Sequence, residues 1–278
     1  MAARKHNGSI IGKGLSICIV TASERLRQWQ IWVPGPGSDA LYCNKAYKSK
    51  LKAGEGIDAM ANANYSRALI FSGGNLGGWA LSRICPDDYL IGADRGALFL
   101  TRQGRAPHLA VGDFDSISQN ELDLVRSAAA ETLAFDAVDK DWTDTELAVK
   151  EAIARGFRDI VVIGGLGTRF DHSLANVHLL NAAAEAGCRA ILVDEHNEIR
   201  LLAAGITERL EADSQYPYVS LLPLTPAVTG ITLQGFKYPL TDATITIGMS
   251  LGVSNELAEP CGSIRIGSGK LLVVRSRD

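Results

Sequence analysis

Nowhere in the 278 residues does an apolar run approach the roughly 20 needed to span a bilayer, so a transmembrane helix is not expected. The nearest thing to a secretory leader is Arg4 and Lys5 followed by the short apolar stretch 15–22. Lys13 and two glycines interrupt its approach. A basic excess is also lacking: the formal net charge is −3, which argues against a dedicated nucleic-acid binder. The five cysteines (Cys18, Cys43, Cys85, Cys188 and Cys261) are odd in number, scattered and without a Cys-x-x-Cys pair, a pattern that fits a reducing, cytoplasmic compartment. There is no G-x-S-x-G elbow, and His108, His172, His178 and His196 have no evident Ser or Cys partner in sequence, so a nucleophile triad is not indicated.

What is present is the composition of an ordinary globular chain, 46% hydrophobic and 21% charged, with 28 glycines available for tight turns. Residues 1–59 stand apart. They carry a net charge of +5, leaving −8 for the remainder, and contain the breaker Pro34-Gly35-Pro36-Gly37. Met60 is the only methionine between Met1 and Met249, so 1–59 reads as an N-terminal extension, disordered or upstream of the native start, with a small ordered subdomain as the alternative.

From Arg67 onward, near-continuous apolar runs at 68–72, 89–93, 109–112, 132–135, 160–164 and 190–193 alternate with helix-like segments at 119–129, 144–155 and 172–186. Runs of this kind are expected of strands buried on both faces, which predicts an α/β fold over 60–204: an open, mainly parallel sheet with helices on both faces. After about Gly205 the pattern becomes short Thr-, Val-, Ile- and Gly-rich segments at 218–222, 228–233, 244–247, 262–266 and 270–274. They predict a small antiparallel β-sandwich domain over 205–278, with the boundary near 203–214.

In open parallel sheets, ligands bind beyond the carboxyl ends of the strands. Four polar turns follow strand candidates there: Asp94-Arg95-Gly96, Gly112-Asp113-Phe114-Asp115-Ser116, Asp139 to Asp144, and the glycine-rich Gly164-Gly165-Leu166-Gly167-Thr168-Arg169-Phe170-Asp171-His172. An extended chain at Asp113 and Asp115 would put both carboxylates on one face, flanking a buried Phe114. Asp141 and Asp144, three apart, would share the first turn of a helix, where Thr143 and the free amides also attract anions. So many carboxylates on one rim need a cation. Mg²⁺ suits them, because it takes a few carboxylates plus water and substrate phosphates. Singly, each element has a plainer reading, since Asp at a helix start is commonly an N-cap and Asp-x-Asp recurs in surface turns.

Taken in order, the four turns resemble the thiamine pyrophosphokinase (thiamine diphosphokinase) family from about Arg67 to the C-terminus. Gly235-Phe236-Lys237-Tyr238-Pro239-Leu240 and Ser254-Asn255-Glu256 are similar to its thiamine-side signature. At position 95 this chain has Arg where many members have Gly. The resemblance implies a homodimer with active sites in clefts between domains and subunits. It further implies that Asp94, Asp113, Asp115 and Asp144 hold Mg²⁺ and phosphate with Asp141 near, that Lys140, Thr143, Arg169, Asp171 and His172 lie along ATP, and that Ser254 and Asn255 face thiamine. The implied reaction transfers pyrophosphate from ATP to the thiamine hydroxyl, giving thiamine diphosphate and AMP. Another Mg²⁺-dependent phosphotransferase or phosphohydrolase, and a non-catalytic nucleotide or thiamine-diphosphate sensor, are the competing readings.

Overall fold

The chain is represented by a computed structural model that describes residues 64–135 and 142–278. The extension 1–59, Lys140 and Asp141 lie outside the described residues.

Six strands form the parallel part of a sheet: β1 (Arg67–Phe71), β2 (Asp88–Ala93), β3 (Leu109–Gly112), β4 (Glu131–Ala134), β5 (Asp159–Ile163) and β6 (Arg189–Val193). The connecting helices are α1 (Gly78–Leu81), α2 (Arg95–Arg102), α3 (Gln119–Ala128), α4 (Asp144–Ala154) and α5 (Phe170–Glu185). β1 shows why its sequence carries no alternation: Ala68 and Ile70 enter one core, Leu69 and Phe71 another, and all four are fully buried. The order β6-β5-β1-β2-β3-β4 reverses direction between β1 and β5, which creates the crevice where an open α/β sheet binds ligands.

The sheet does not stop at β6. β7 (Asn197–Ala203) returns antiparallel beside β6 after a turn in which Asp194 Oδ1 accepts the His196 and Asn197 amides. β14 (Lys270–Ser276), β9 (Tyr218–Pro223) and β12 (Asn255–Glu256) then extend it to ten strands. A separate four-stranded antiparallel sheet is made by β8 (Thr207–Glu211), β10 (Ala227–Gln234), β11 (Leu240–Thr246) and β13 (Cys261–Arg265). Its inward side chains Val228, Ile231, Leu233, Ile245 and Ile264 meet Leu202, Val219, Leu221, Leu271 and Val273 of the large sheet, forming the expected sandwich. The chain leaves the large sheet at Gly205, whose φ of 86° suits glycine, and re-enters it three times.

β14 is therefore shared. Leu271 and Val273 fill the sandwich core, while Leu272 and Val274 pack against the core of the α/β part. This two-sided burial explains the run Leu271-Leu272-Val273-Val274 in a segment that otherwise belongs to an alternating β region.

Candidate active site

The site grows from the carboxyl ends of β1, β2, β3 and β5. At the crevice the turns after β1 and β5 are in backbone contact: Gly74 N–H donates to Gly164 O at 3.0 Å, and Ser72 N–H to Ile163 O at 2.8 Å. A Cβ on Gly74 would lie 2.3 Å from that Gly164 oxygen, so only glycine fits. The first turn of α4 crosses the same rim, where Thr145 Oγ1 and Ser72 Oγ share a buried hydrogen bond of 2.6 Å. Thr143 caps α4, its side chain accepting the Glu146 amide at 3.2 Å, and Asp144 opens the helix.

This crossing delivers Asp144 to the ends of β2 and β3. The position of a Cβ on Gly112 would be 3.1 Å from Asp144 Oδ1, 3.3 Å from Asp94 N and 3.4 Å from Asp94 Cβ. Asp94, Gly112 with its neighbour Asp113, and Asp144 are thus brought together from three separate turns. Asp94 adopts φ 48° and ψ −114° at the head of α2, a conformation costing about 1–3 kcal/mol for a residue with a Cβ. Ser116 Oγ donates to Asp94 Oδ2, but Asp94 Oδ1 is buried with no hydrogen-bond partner among the described residues. Burial pushes the Asp94 carboxyl above its ordinary range, and the nearby Asp144 and Asp113 push the same way against the Ser116 hydroxyl. A buried, unpartnered carboxylate oxygen between two further aspartates fits a divalent cation with oxygen ligands.

The Asp113 turn differs from the extended geometry expected. Phe114 has φ 57°, so the chain kinks there, and Asp115 N–H donates to Asp113 Oδ1 at 3.2 Å. The Phe114 ring is buried as expected, among Ala97, Leu98 and Val125 beneath α2 and α3. The kink follows from anchoring that ring while the chain reverses. Asp113 is half-buried and Asp115 exposed. No three of Asp94, Asp113, Asp115 and Asp144 bring carboxylate oxygens all within 4.8 Å of one another. Asp94, Asp113 and Asp144 share a rim that is open rather than closed into a cage, as suits Mg²⁺ that keeps water and phosphate ligands, and Asp115 follows on the exposed side of the turn. Among the described residues the only trio that close is Cys85, Asp87 and Asp88, where Asp88 is occupied by Arg67 at 2.6 Å and by the Cys85 amide at 2.7 Å.

Farther round the rim, Arg169 caps α5 and pairs with Asp171 at 2.6 Å, while His172 lies 4.0 Å from the same carboxylate. All three are exposed, and the Arg169 guanidinium holds the Asp171 carboxyl below its ordinary value. On the sandwich side Asn255 is buried and hydrogen-bonded. Its Oδ1 accepts the Tyr238 and Glu256 amides at 3.1 and 2.9 Å, and its Nδ2 donates to Tyr238 O at 2.8 Å. That clamp fixes the Lys237-Tyr238 turn, leaving the Tyr238 side chain exposed. Ser254, exposed at φ 56°, donates its amide to Ser220 Oγ at 3.0 Å. Three of the four described non-glycine residues with positive φ, Asp94, Phe114 and Ser254, lie in turns picked out from sequence. Ser116 belongs to one of those turns but its bond to Asp94 is not legible there, and the Ser72–Thr145 pair lies outside them. The Gly73-Gly74 pair directly after the first strand was the available signal for the crevice.

A doubly wound α/β sheet with an acidic rim at its switch point, continuous with a β-sandwich, defines a class: a nucleotide-type phosphotransfer fold carrying a second binding module. The comparisons with known proteins narrow it. The family model described as thiamin pyrophosphokinase, catalytic domain, matches residues 83–192, and that of the thiamin pyrophosphokinase vitamin B1 binding domain matches 207–271. Thiamine pyrophosphokinase of Bacillus subtilis (strain 168) is 36% identical over 188 residues, 68% of this chain and 87% of that protein. Crystal structures of the enzymes from Bacillus subtilis and Geobacillus thermodenitrificans superpose with TM-scores of 0.70 and 0.68 at 32% and 33% identity. Each covers 76% of this chain, and 99% and 97% of the respective structure. The chain belongs to the thiamine pyrophosphokinase family.

Proposed function

We propose that the chain transfers the pyrophosphoryl group of ATP to the hydroxyl of thiamine at the rim formed by Asp94, Asp113, Asp115 and Asp144. The observation that carries the site assignment is the buried, unpartnered Asp94 Oδ1 set beside Asp144 and Asp113. These four aspartates would hold Mg²⁺, which supplies charge neutralisation for the phosphates when bound. Thr143 and the open amides of α4 would receive phosphate oxygens, with Lys140, Asp141, Arg169, Asp171 and His172 along the nucleotide. A new bond forms between the thiamine oxygen and the β-phosphorus, the bridging bond to the α-phosphate breaks, and AMP leaves with the bridging oxygen. The hydroxyl proton passes to a rim carboxylate. Orientation and a preorganised charge pattern suffice for such a displacement, in keeping with the lack of a nucleophile triad.

Thiamine would be held by the sandwich through Ser254 and the turn that Asn255 clamps, with Tyr238 available to stack on a cationic ring. β12 and β2 are seven strand spacings apart in one sheet, on the order of 30 Å at about 4.8 Å each. One chain's Ser254 end is therefore remote from its own aspartates, which supports a homodimer whose sites combine the rim of one chain with the sandwich of another. The exposed apolar side chains Tyr238, Ile247, Met249, Leu251 and Val253 on that module support the same reading. A cytoplasmic setting agrees with Cys85, Cys188 and Cys261, which form no disulfide, and no described helix is long and apolar enough to cross a membrane.

The test is an AMP-release assay with ATP, Mg²⁺ and thiamine, each omitted in turn. AMP is expected only with all three. ATP hydrolysis indifferent to thiamine would transfer the assignment to a phosphohydrolase.

A further inference from the structure

The geometry points to Arg95 as a binding residue for the phosphate chain of ATP, an inference that rests on the proposed reaction. Arg95 directly follows the strained Asp94 at the start of α2, and its backbone has little freedom. A Cβ on Gly96 would lie 1.8 Å from Phe71 O, so the first turn of α2 is pressed against the end of β1. Arg95 Cβ in turn lies 3.7 Å from the point a Cβ on Gly73 would occupy, which puts the root of the side chain against the turn that lines the crevice. Its root is thus held between the Gly73-Gly74 turn and the aspartate rim.

The guanidinium is exposed and has no ion-pair or hydrogen-bond partner among the described residues. Four arginines nearby are engaged, Arg67 with Asp88, Arg102 with Glu121, Arg155 with Glu131 and Arg169 with Asp171, while exposed Arg105, at the far end of α2, shares the lack of a partner but not the place beside the rim. Arg95 instead opens onto a groove of about 490 Å³ between α2 and the segment leading into α3. Residues 95, 98, 99 and 102 fall on one helix face there, opposite Ser116 and Ile117. Ser116 is the residue bonded to Asp94, so the groove begins at the rim. An uncommitted, rigidly rooted guanidinium beside a carboxylate rim that takes a metal and phosphates is placed for forked hydrogen bonds to phosphate oxygens.

Arg95→Gln and Arg95→Lys compared with the unaltered chain test this, with melting temperature as the folding control. Arg95→Gln is expected to raise KM for ATP at least tenfold, leave KM for thiamine within twofold, and weaken equilibrium binding of a non-hydrolysable ATP analogue by a similar factor. Arg95→Lys should recover part of each loss. An unchanged ATP KM and unchanged analogue binding in Arg95→Gln overturns the inference, and so does an equal rise in both KM values. If the unaltered chain releases no thiamine-dependent AMP, the parent reading fails, while the analogue measurement still decides the role of Arg95.

Discussion

Individual carboxylates carry the chemistry proposed for this chain, and the clearest expectations concern them. Asp113→Asn and Asp115→Asn keep the volume of the side chain but remove an anionic oxygen ligand at an open rim. Each should lower kcat for AMP release by two orders of magnitude or more with little change in melting temperature. Wild-type turnover in either variant would remove that residue from the centre. A second residue-scale expectation lies at the other end of the sheet. His108 stacks on the Tyr89 ring and meets Tyr65 edge-on, its Nδ1 accepting the Leu90 amide at 2.9 Å, and burial pushes its pKa below the ordinary 6.5. The fold thus favours neutral His108. Its contribution to stability is present above pH 6.5 and is lost as pH falls from there through the lowered value. Urea melts between pH 7.5 and 5 should show stability falling, and the fall should be smaller in His108→Gln.

At the scale of elements, the crevice depends on close backbone approach. Gly74→Ala places a Cβ 2.3 Å from Gly164 O and 2.8 Å from Leu166 O, neither of which is a flexible side-chain end. It should destabilise by about 1–3 kcal/mol and also reduce turnover, because the β1 and β5 turns must separate. Thr143→Ala removes the cap of α4, which should cost about 1 kcal/mol, read as a lowered denaturation midpoint, along with the hydroxyl proposed to meet a phosphate oxygen. Unbroken apolar runs made β1, β2, β3 and β5 legible in the sequence. α2 was not legible, because Arg95-Gly96 at its start disguises a helix whose glycine is required by contact with β1. The extended reading of Asp113 to Asp115 failed for a related reason, since alternation assumes a strand and the buried Phe114 ring demands a kink.

For the molecule as a whole, the shared strand β14 joins the two cores. Leu271→Ala and Leu272→Ala point into different cores, and each should cost about 2–5 kcal/mol. Both variants should still unfold in a single transition, because the ten-stranded sheet continues through both parts; two resolved transitions would show that they melt separately. The proposed dimer makes a further prediction. Asp113→Asn and Ser254→Arg chains, each inactive alone, should regain part of the activity when mixed, since a hybrid pair assembles one intact rim opposite one intact sandwich. No recovery in a mixture shown by sedimentation to contain hybrid dimers would place each site within one chain.

The sequence by itself determined the α/β and β-sandwich parts and the turns that hold the candidate residues, because burial on one or two faces leaves its period in the order of apolar residues. It also carried the family motifs, which are local strings. Only the tertiary structure decided that Asp94 and Asp144 meet at Gly112, that Asn255 clamps a turn, and that the large sheet runs unbroken into the sandwich. Those outcomes depend on strand order and on contacts between residues far apart in the chain, and no local pattern records them.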